Sequence, residues 1–290
     1  MGSSSIPLVE DHPVAAFFLG AYLYTWAVSA PAVFMEPSWS AAILVYVGSF
    51  GPPVSAAVVT WLRGDDLRAW ARQITRWRVG WRWWVVAAGL PIAAAVGITL
   101  ALVAVRGPVD LGQALPSPLL FVGIFLFALV LSGGLNEEPG WRGFAQPHLN
   151  ERYGAVPASL LIGVVWAGWH APYFVIPVTP HSSFPLVNTL GWVGGILTLS
   201  ILLGWLYNNT GSVLLAMVLH AMANTADVVI PLAADQIVID GIIDEGAVGV
   251  VTVVHLAVYV LIVFAVIAVY GRERLTDGEM PDATDAGARS

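Results

Sequence analysis

The chain has 290 residues, of which 58% are hydrophobic and 11% charged, with a mean hydropathy of +0.77. Soluble domains contain about 25% charged residues, so this composition excludes an ordinary soluble protein and indicates a polytopic membrane protein. The absence of cysteine excludes disulfides, thiol catalysis and cysteine-ligated zinc, and the net charge of −7 gives no indication of nucleic-acid binding.

Hydrophobic segments long enough to cross a bilayer as helices occur eight times along the chain. The predicted spans run approximately over Val14–Phe34, Trp39–Leu62, Trp83–Val105, Pro118–Phe144, Ala155–Ile176, Val187–Tyr207, Ser212–Leu232 and Gly246–Tyr270. We therefore expect an all-α fold in which residues 1–270 form a single integral-membrane domain. Residues 271–290 are polar and are predicted to form a disordered cytoplasmic tail.

All the basic residues are arginines, and their positions predict the orientation of the chain. One side of the membrane receives Arg63, Arg68, Arg72, Arg76, Arg78, Arg82, Arg142, Arg152, Arg272, Arg274 and Arg289, and the other receives Arg106. Because arginine-rich short loops remain in the cytoplasm, both termini are predicted to be cytoplasmic, in the plasma or inner membrane. The segment 63–84 interleaves arginine with tryptophan, which favours an amphipathic helix at the lipid headgroups over a nucleic-acid site.

Two adjacent carboxylates, Glu137 and Glu138, follow the apolar run that begins at Pro118. A carboxylate in hydrocarbon costs about 2.5–3.5 kcal/mol on insertion scales, so an intramembrane acid indicates a functional site. Arg142 follows Glu138 by four residues, a spacing that predicts an ion pair on one helix face. Glu137 would then be left without a local partner. We expect the fourth span to continue through this motif as one long helix, bent near Pro139.

Three polar residues in later spans are candidates to join Glu137. His170 lies within the fifth apolar run, and His220 and Asn224 are four residues apart on one face of the seventh. At about 1.5 Å per helical residue, all three lie at depths compatible with that of Glu137. The sequence therefore predicts a shared cavity near mid-membrane, open to the cytoplasm.

These groups suit the hydrolysis of a peptide bond. Glu137 would deprotonate a water molecule, and His170 would hold that water and later protonate the leaving amine. His220 and Asn224 offer N–H donors for the oxyanion of a tetrahedral intermediate. A zinc ion held by Glu137, His170 and His220 is the alternative, since two histidines and a carboxylate match a catalytic zinc site. Asn224 favours the scheme without a metal, because asparagine is a poor zinc ligand.

Each polar residue also has a purely structural interpretation. The two acids could end a helix at the membrane surface, and His170, or His220 with Asn224, could form hydrogen bonds between helices. Their joint occurrence on three spans favours a functional site instead. The other four histidines are assigned structural or loop positions: His12, His148, His181 and His255.

The ordered set Glu137-Glu138-x-x-x-Arg142, Trp166-x-x-x-His170 and His220-x-x-x-Asn224 resembles the CPBP family of intramembrane proteases, which includes CAAX endopeptidases and bacterial Abi proteins. The resemblance covers residues 118–232. It implies a four-helix catalytic core in which Glu137 is the base, His170 its partner and His220 with Asn224 the oxyanion site. It also gives supporting roles to Glu138, Arg142 and Trp166, the last replacing a more usual phenylalanine.

The sequence therefore predicts an intramembrane endopeptidase that acts on a peptide or protein substrate within the lipid bilayer. No cofactor is favoured, zinc is the alternative, and no oligomeric state is predicted. Two rival functions use the same residues: a non-catalytic immunity or binding protein, and a transporter or proton relay built on buried Glu and His.

Overall fold

A computed structural model describes residues 7–106, 116–228, 238–239, 242–243 and 245–282 of the chain. Within these residues the regular structure is helical apart from one short hairpin, in which β1 (Val238–Ile239) pairs antiparallel with β2 (Ile242–Ile243). The all-α prediction is therefore confirmed. Two predicted segments lie partly outside the described residues. They are the end of the seventh span and the last eight residues of the tail, which include Arg289.

Thirteen α-helices follow one another in the part of the chain that the structure describes. The first six are α1 (Pro7–Asp11), α2 (Pro13–Ser29), α3 (Trp39–Gly48), α4 (Gly51–Leu62), α5 (Leu67–Ile74) and α6 (Trp81–Arg106). The next seven are α7 (Pro118–Leu131), α8 (Glu138–Gly140), α9 (Gln146–Tyr153), α10 (Ala155–Trp169), α11 (Leu186–Thr210), α12 (Val213–Val228) and α13 (Glu245–Tyr270). A π-helix (Trp141–Ala145) joins α8 to α9, and 3₁₀ turns follow α2 (Ala30–Phe34) and lie between α10 and α11 (Ala171–Phe174, Pro180–Ser183).

Five helical segments of the described chain are long and apolar enough to cross a membrane. They are Pro13–Phe34, Trp39–Arg63, Trp81–Val105, Leu186–Thr210 and Gly249–Tyr270. Three shorter apolar helices, Pro118–Leu131, Ala155–Trp169 and Val213–Ala226, occupy the positions of the fourth, fifth and seventh predicted spans. The chain is therefore a polytopic helical membrane protein, as predicted.

Large apolar side chains face outward along these helices. Leu126, Val164, Leu190 and Leu261 are all exposed, and the last is 68% accessible. An apolar surface of this extent is an aggregation liability in water, whereas lipid chains solvate it. The helical backbone satisfies its own hydrogen bonds, as a segment in hydrocarbon must.

The fourth predicted span is not one long helix bent near Pro139, so this prediction is wrong. Helix α7 ends at Leu131, and residues 132–137 form a turn before α8 begins. Gly133 has a φ of +122°, which residues with a side chain rarely adopt, and the backbone leaves the helical path there. Pro139 lies in the first turn of α8, where a missing N–H costs nothing, so it begins a helix instead of bending one.

Small residues let the helices approach closely. A Cβ atom on Gly163 of α10 would lie 3.0 Å from Leu197 and 3.2 Å from Ser200 of α11. A Cβ atom on Gly51 of α4 would lie 2.2 Å from the hydroxyl of Thr25 in α2. Such glycines are typical of helix interfaces in membranes, where close packing and polar contacts drive association.

One end of the bundle collects most of the arginines, and we call it the arginine end. The segment before α6, the turn between α11 and α12 and the chain after α13 meet there. The Ser212 hydroxyl donates to the Arg76 carbonyl at 2.6 Å, and Asn208 Nδ2 donates to the Arg274 carbonyl at 2.8 Å. The start of α10 joins them, because the Val156 N–H donates to the Arg272 carbonyl at 3.1 Å.

The first part of the predicted tail differs from the prediction of disorder. Leu275 is fully buried, and its carbonyl accepts a hydrogen bond from Asn209 Nδ2 at 2.8 Å. Thr276 donates to Asn209 Oδ1 at 3.0 Å, and the Glu273 carbonyl accepts from the Ala155 N–H at 2.7 Å. The polar composition of this segment predicted disorder, but composition carries no information about hydrogen bonds to distant residues. These bonds join the segment to the start of α10 and to the end of α11.

The predicted amphipathic segment forms the short helix α5, capped by the Asp66 carboxylate. Its inner face carries polar contacts as well as apolar ones. Gln73 is buried, donates to the Gly143 carbonyl at 3.3 Å and accepts from the Tyr207 hydroxyl at 2.8 Å. Trp70 Nε1 donates to the Pro139 carbonyl at 3.2 Å. Helix α5 therefore supports the Glu-Glu motif from the arginine end.

Candidate active site

The turn that carries the two carboxylates is fixed by its own side chains. Asn136 is buried, and its Oδ1 accepts from the Gly133 N–H at 2.8 Å. Asn136 Nδ2 donates to the hydroxyl of Ser49, at the break between α3 and α4, at 3.0 Å. The break in the fourth span thereby faces a break in the second, where unpaired backbone groups can be satisfied by side chains. The next two residues, Glu137 and Glu138, are held in place by this arrangement.

Glu138 lies in a buried ionic cluster. Its Oε2 is 3.2 Å from Nη1 of Arg142, and both side chains are completely buried. Its Oε1 accepts from His220 Nδ1 at 2.6 Å. The ion pair predicted from the four-residue spacing is present, and His220 is a further partner from another helix. Because a carboxylate only accepts, the His220 hydrogen lies on Nδ1, and Nε2 is left for other contacts.

Arg142 connects this cluster to the neighbouring helices. Its Nη2 donates to the Ser200 hydroxyl at 2.8 Å and to the Ser200 carbonyl at 3.3 Å, on α11. The Ser200 hydroxyl in turn donates to the Ser159 carbonyl of α10 at 2.7 Å. The guanidinium carbon lies 5.2 Å from the ring centroid of Trp166. A buried charged pair needs further polar partners, and Ser200 supplies two of them, while Arg142 Nε and Glu138 Oε2 have no hydrogen-bond partner among the described residues.

Glu137 has different surroundings from its neighbour. Its side chain is 5% exposed, and Oε2 accepts a hydrogen bond of 2.5 Å from Trp166 Nε1. Among the described contacts, Arg142 pairs with Glu138 and not with Glu137. The carboxylate of Glu137 instead lines a cavity.

The three other predicted catalytic residues line the same cavity. His170, at the end of α10, shares a 2.9 Å hydrogen bond between its Nδ1 and the Trp166 carbonyl. Since a carbonyl only accepts, the His170 hydrogen lies on Nδ1 and its Nε2 carries a lone pair when the ring is neutral. Asn224 Nδ2 donates to the Ser132 carbonyl at 2.8 Å, which occupies one of its two N–H groups.

The cavity has a volume of about 630 Å³ and is lined by four helices, by the turn at residues 132–137 and by the connection between α10 and α11. Helix α11 contributes Trp192, Ile196 and Leu199, and α13 contributes Thr252, His255 and Tyr259. Sequence reasoning placed the site on residues 118–232 and therefore missed the wall from α13. It also placed His181 in a loop, whereas His181 lines the cavity with its ring centroid 5.9 Å from that of His170. No local spacing connects these residues to the motifs.

The cavity lies at the end of the bundle opposite the arginine end. Its walls come from the last turn of α10, the first half of α11, the second half of α12 and the first half of α13. The connection between α10 and α11 adds Pro180, His181 and Phe184. The sequence predicted a cavity open on the side of the arginines, whereas these lining residues lie toward the opposite ends of the helices. The side on which the cavity opens stays a prediction.

The fit of a zinc ion to these residues can be judged from their positions. In the part of the chain that the structure describes, no three His, Asp or Glu side chains come together closely enough to hold a metal ion. Each predicted ligand keeps one atom that could bind a metal, since Glu137 accepts from Trp166 through Oε2 and both histidines use Nδ1 for their hydrogen bonds. The predicted set of Glu137, His170 and His220 does not form a ready metal site in this arrangement.

Fold and site define a polytopic helical membrane protein with a carboxylate, two imidazoles and a carboxamide around one intramembrane cavity. Residues 118–226 match the family model described as type II CAAX prenyl endopeptidase Rce1-like. The chain is also 32% identical over 121 residues to CAAX prenyl protease 2 of Methanococcus maripaludis, an alignment that covers 40% of this chain and 44% of that protein. The chain thus spans less than half of that relative, and the resemblance to the CPBP proteases is confirmed over this core.

Proposed function

We propose that this chain is an intramembrane endopeptidase in which Glu137 activates a water molecule for attack on a peptide bond. One observation supports the proposal above the others: Glu137, His170, His220 and Asn224 line one cavity, while the adjacent Glu138 is already neutralised. A structural role would not require the Glu137 carboxylate to remain at the cavity wall. The family similarity of residues 118–226 agrees with this class of reaction.

The proposed reaction uses the side-chain atoms of these residues that are not already in hydrogen bonds. Glu137 takes a proton from a water molecule, and the resulting hydroxide adds to the carbonyl carbon of the substrate. His170 Nε2 accepts the other hydrogen of the water and so orients it. The carbon–nitrogen bond then breaks, and the proton taken from water passes by way of His170 to the departing amine. The products are a carboxylic acid and an amine, so water is the only co-reactant.

The negative charge that develops on the carbonyl oxygen requires donors. His220 Nε2 and the second N–H of Asn224 lie on one face of α12, beside Gly133. Because Nδ1 already bonds to Glu138, donation from Nε2 requires the imidazolium form of His220, which carries hydrogens on both ring nitrogens. In other hydrolases the loss of one such donor costs about 2.7–4 kcal/mol of transition-state stabilisation.

The substrate side of the proposal is a peptide or protein segment within the bilayer. The cavity wall formed by Ile196, Leu199 and Tyr259 is apolar and suits apolar residues on either side of the scissile bond. The protein would lie in the plasma or inner membrane with both termini in the cytoplasm, as the arginines indicate. No nucleic-acid partner is proposed, because the arginine and tryptophan segment packs against the helices of this chain.

Replacement of Glu137 by glutamine tests the proposal. The amide oxygen of the glutamine can still accept from Trp166, so we expect an unchanged midpoint of thermal unfolding. We expect a complete loss of peptide cleavage. The measurement compares the peptides of cells that express wild type or Glu137→Gln, with Glu36→Gln, an exposed carboxylate, as the matched control. Peptides produced equally by all three strains would refute the protease function.

The same comparison separates the rival functions and the zinc alternative. If the protein is a transporter or a proton relay, Glu137→Gln will lose pH-dependent flux while the cellular peptides stay the same. If it is a binding protein, Glu137→Gln will change neither the flux nor the peptides. A zinc chelator, applied to purified wild type with a peptide identified by the comparison, completes the test. Continued cleavage supports the scheme written here, whereas cleavage lost to the chelator and restored by zinc assigns the water to a metal.

A further inference from the structure

The chain between α4 and α6 lies at a membrane surface. It joins Trp39–Arg63 to Trp81–Val105, two helical segments long and apolar enough to cross the bilayer, so it leaves and re-enters the bilayer on one side. Exposed tryptophans mark both ends of this connection, Trp61 and Trp81. Tryptophan is enriched at the level of the lipid headgroups, because its ring is apolar and its N–H is polar. The connection therefore lies along the headgroups.

Residues 63–82 carry more positive charge than their own carboxylates neutralise. Six arginines against two aspartates leave a net charge of +4. Both aspartates are already engaged, since Asp65 lies 2.7 Å from Arg63, and Asp66 caps α5 and lies 3.6 Å from Arg72. Three other arginines of this segment are exposed and have no ion-pair partner in the part of the chain that the structure describes: Arg68, Arg78 and Arg82.

Two of these arginines stack on tryptophan rings. The guanidinium carbon of Arg78 lies 5.3 Å from the ring centroid of Trp77, and that of Arg82 lies 5.3 Å from the ring centroid of Trp83. A guanidinium over an aromatic ring keeps the N–H groups at its edge free, and this planar fork matches the oxygens of a phosphate group. The ring of Trp77 is itself exposed, so it can enter the boundary between headgroups and lipid chains.

The inner face of α5 bonds to the backbone that follows the two carboxylates of the Glu-Glu motif. Trp70 Nε1 donates to the Pro139 carbonyl, and the buried Gln73 donates to the Gly143 carbonyl. A Cβ atom on Gly143 would lie 3.4 Å from Trp70 Nε1, so α5 lies directly against this backbone. A ligand that fixes the outer face of α5 would therefore also fix the segment that carries the motif.

We propose that residues 63–82 bind the phosphate groups of anionic phospholipids, and that this binding holds α5 against the Glu-Glu motif. Charge complementarity selects the anionic lipids, because a zwitterionic headgroup brings a cation of its own to the arginines. The exposed tryptophans favour a lipid over a free phosphate ion, which offers no apolar part to their rings. The binding site is independent of the proposed protease function, and only its effect on cleavage rests on that function.

Thermal unfolding of the full-length protein, purified in a neutral detergent, tests the site. Phosphatidylglycerol, phosphatidylcholine with the same acyl chains, and inorganic phosphate are added to separate samples at equal concentration. A ligand that binds only the folded protein raises the midpoint of unfolding. We expect phosphatidylglycerol to raise the midpoint by several degrees more than phosphatidylcholine does. High salt should remove this difference, because salt screens exposed charges.

A matched pair of triple variants assigns the site to these arginines. The test variant replaces by glutamine the three arginines of the segment that have no ion-pair partner: Arg68, Arg78 and Arg82. The control replaces by glutamine three exposed arginines at the same end of the bundle but outside the segment: Arg152, Arg272 and Arg274. We expect the test variant to lose the difference between the two lipids and the control to keep it, although both lose the same charge.

Equal midpoints of the wild type in the two lipids would overturn the proposal, whether or not the test variant folds. A rise with inorganic phosphate equal to that with phosphatidylglycerol would overturn the assignment to a lipid, and a test variant that keeps the difference would overturn the assignment to the arginines. In vesicles, the wild type should cleave its peptide faster when phosphatidylglycerol is mixed with phosphatidylcholine. Equal cleavage rates would overturn the effect on the motif, whereas a lack of cleavage in both vesicles would refute the protease function and leave the lipid site standing.

Discussion

Two regions of the protein meet at the Glu-Glu motif, and they give its two carboxylates different bonding partners. On the arginine side, Glu138 is fully buried and is held by Arg142 and His220. On the cavity side, Glu137 has a single described hydrogen bond, from Trp166. Adjacent residues of one type thus differ in role because their partners differ. The first region stabilises the helices, and the second carries the proposed chemistry.

His220 belongs to both regions. Its Nδ1 bonds to Glu138 in the ionic cluster, while its ring lines the cavity and lies 5.1 Å from that of Trp166. The cluster can therefore set the position of a residue at the cavity wall. Substitutions that damage only one region show how far the two are independent.

The largest effect on stability is expected from Arg142→Ala. This change leaves the Glu138 carboxylate buried with His220 as its remaining hydrogen-bond partner. Breaking a buried pair by removing one member costs about 3–5 kcal/mol, because the other charge stays in a low-dielectric interior. Thermal denaturation of the purified protein in detergent should show a large drop in midpoint, and cleavage should be lost with the fold.

The matched control for this prediction is Arg152→Ala, which removes an exposed arginine near the end of α9. It should leave the midpoint nearly unchanged, because exposed ion pairs contribute about 0–1 kcal/mol. Equal midpoints for Arg142→Ala and wild type would show that the buried cluster does not stabilise the bundle.

An intermediate effect is expected from Gly133→Ala, which acts on the cavity side. The φ of +122° is strained for alanine, at a cost of about 1–3 kcal/mol. The new Cβ atom would also lie 2.6 Å from His220 Nε2 and 2.8 Å from Asn224 Nδ2. We expect a moderate loss of stability together with a loss of cleavage, because the proposed oxyanion donors must move.

Gly123→Ala is the appropriate comparison, since a Cβ atom there has no neighbour within 4 Å and the residue lies within α7. Alanine favours a helix interior over glycine by about 1 kcal/mol, so stability should be equal or slightly higher. Peptide cleavage by Gly133→Ala at the wild-type rate would argue against His220 and Asn224 as the oxyanion site.

The sequence predicted most of this arrangement where the determining contacts are local. The pair of Glu138 and Arg142 follows from a spacing of one helical turn, and the span positions follow from runs of apolar residues. The turn at residues 132–137 was missed because the hydrophobic run gives no sign of where α7 stops. Gly133 and Gly134 were the available signal, since paired glycines often interrupt a helix.

Non-local features were beyond the sequence. His181 and the wall from α13 join the cavity through helix packing, which no spacing in the chain encodes. Arginine positions bear on the orientation of the chain and helix lengths on the depth of a residue, but neither indicates where space remains between helices.

The smallest effect is expected from Trp166→Phe, which removes the N–H donor to Glu137 and keeps an aromatic ring beside Arg142 and His220. A hydrogen bond to a charged group contributes about 1.5–3 kcal/mol, so cleavage should slow roughly 10- to 100-fold. Because Trp166 orients the base without accepting a proton, kcat should fall while KM stays close to that of wild type. Trp205→Phe, a buried tryptophan that does not line the cavity, is the control and should retain the wild-type kcat. If Trp166→Phe cleaves as fast as wild type, the position of the Glu137 carboxylate is set by the turn at residues 132–137 alone.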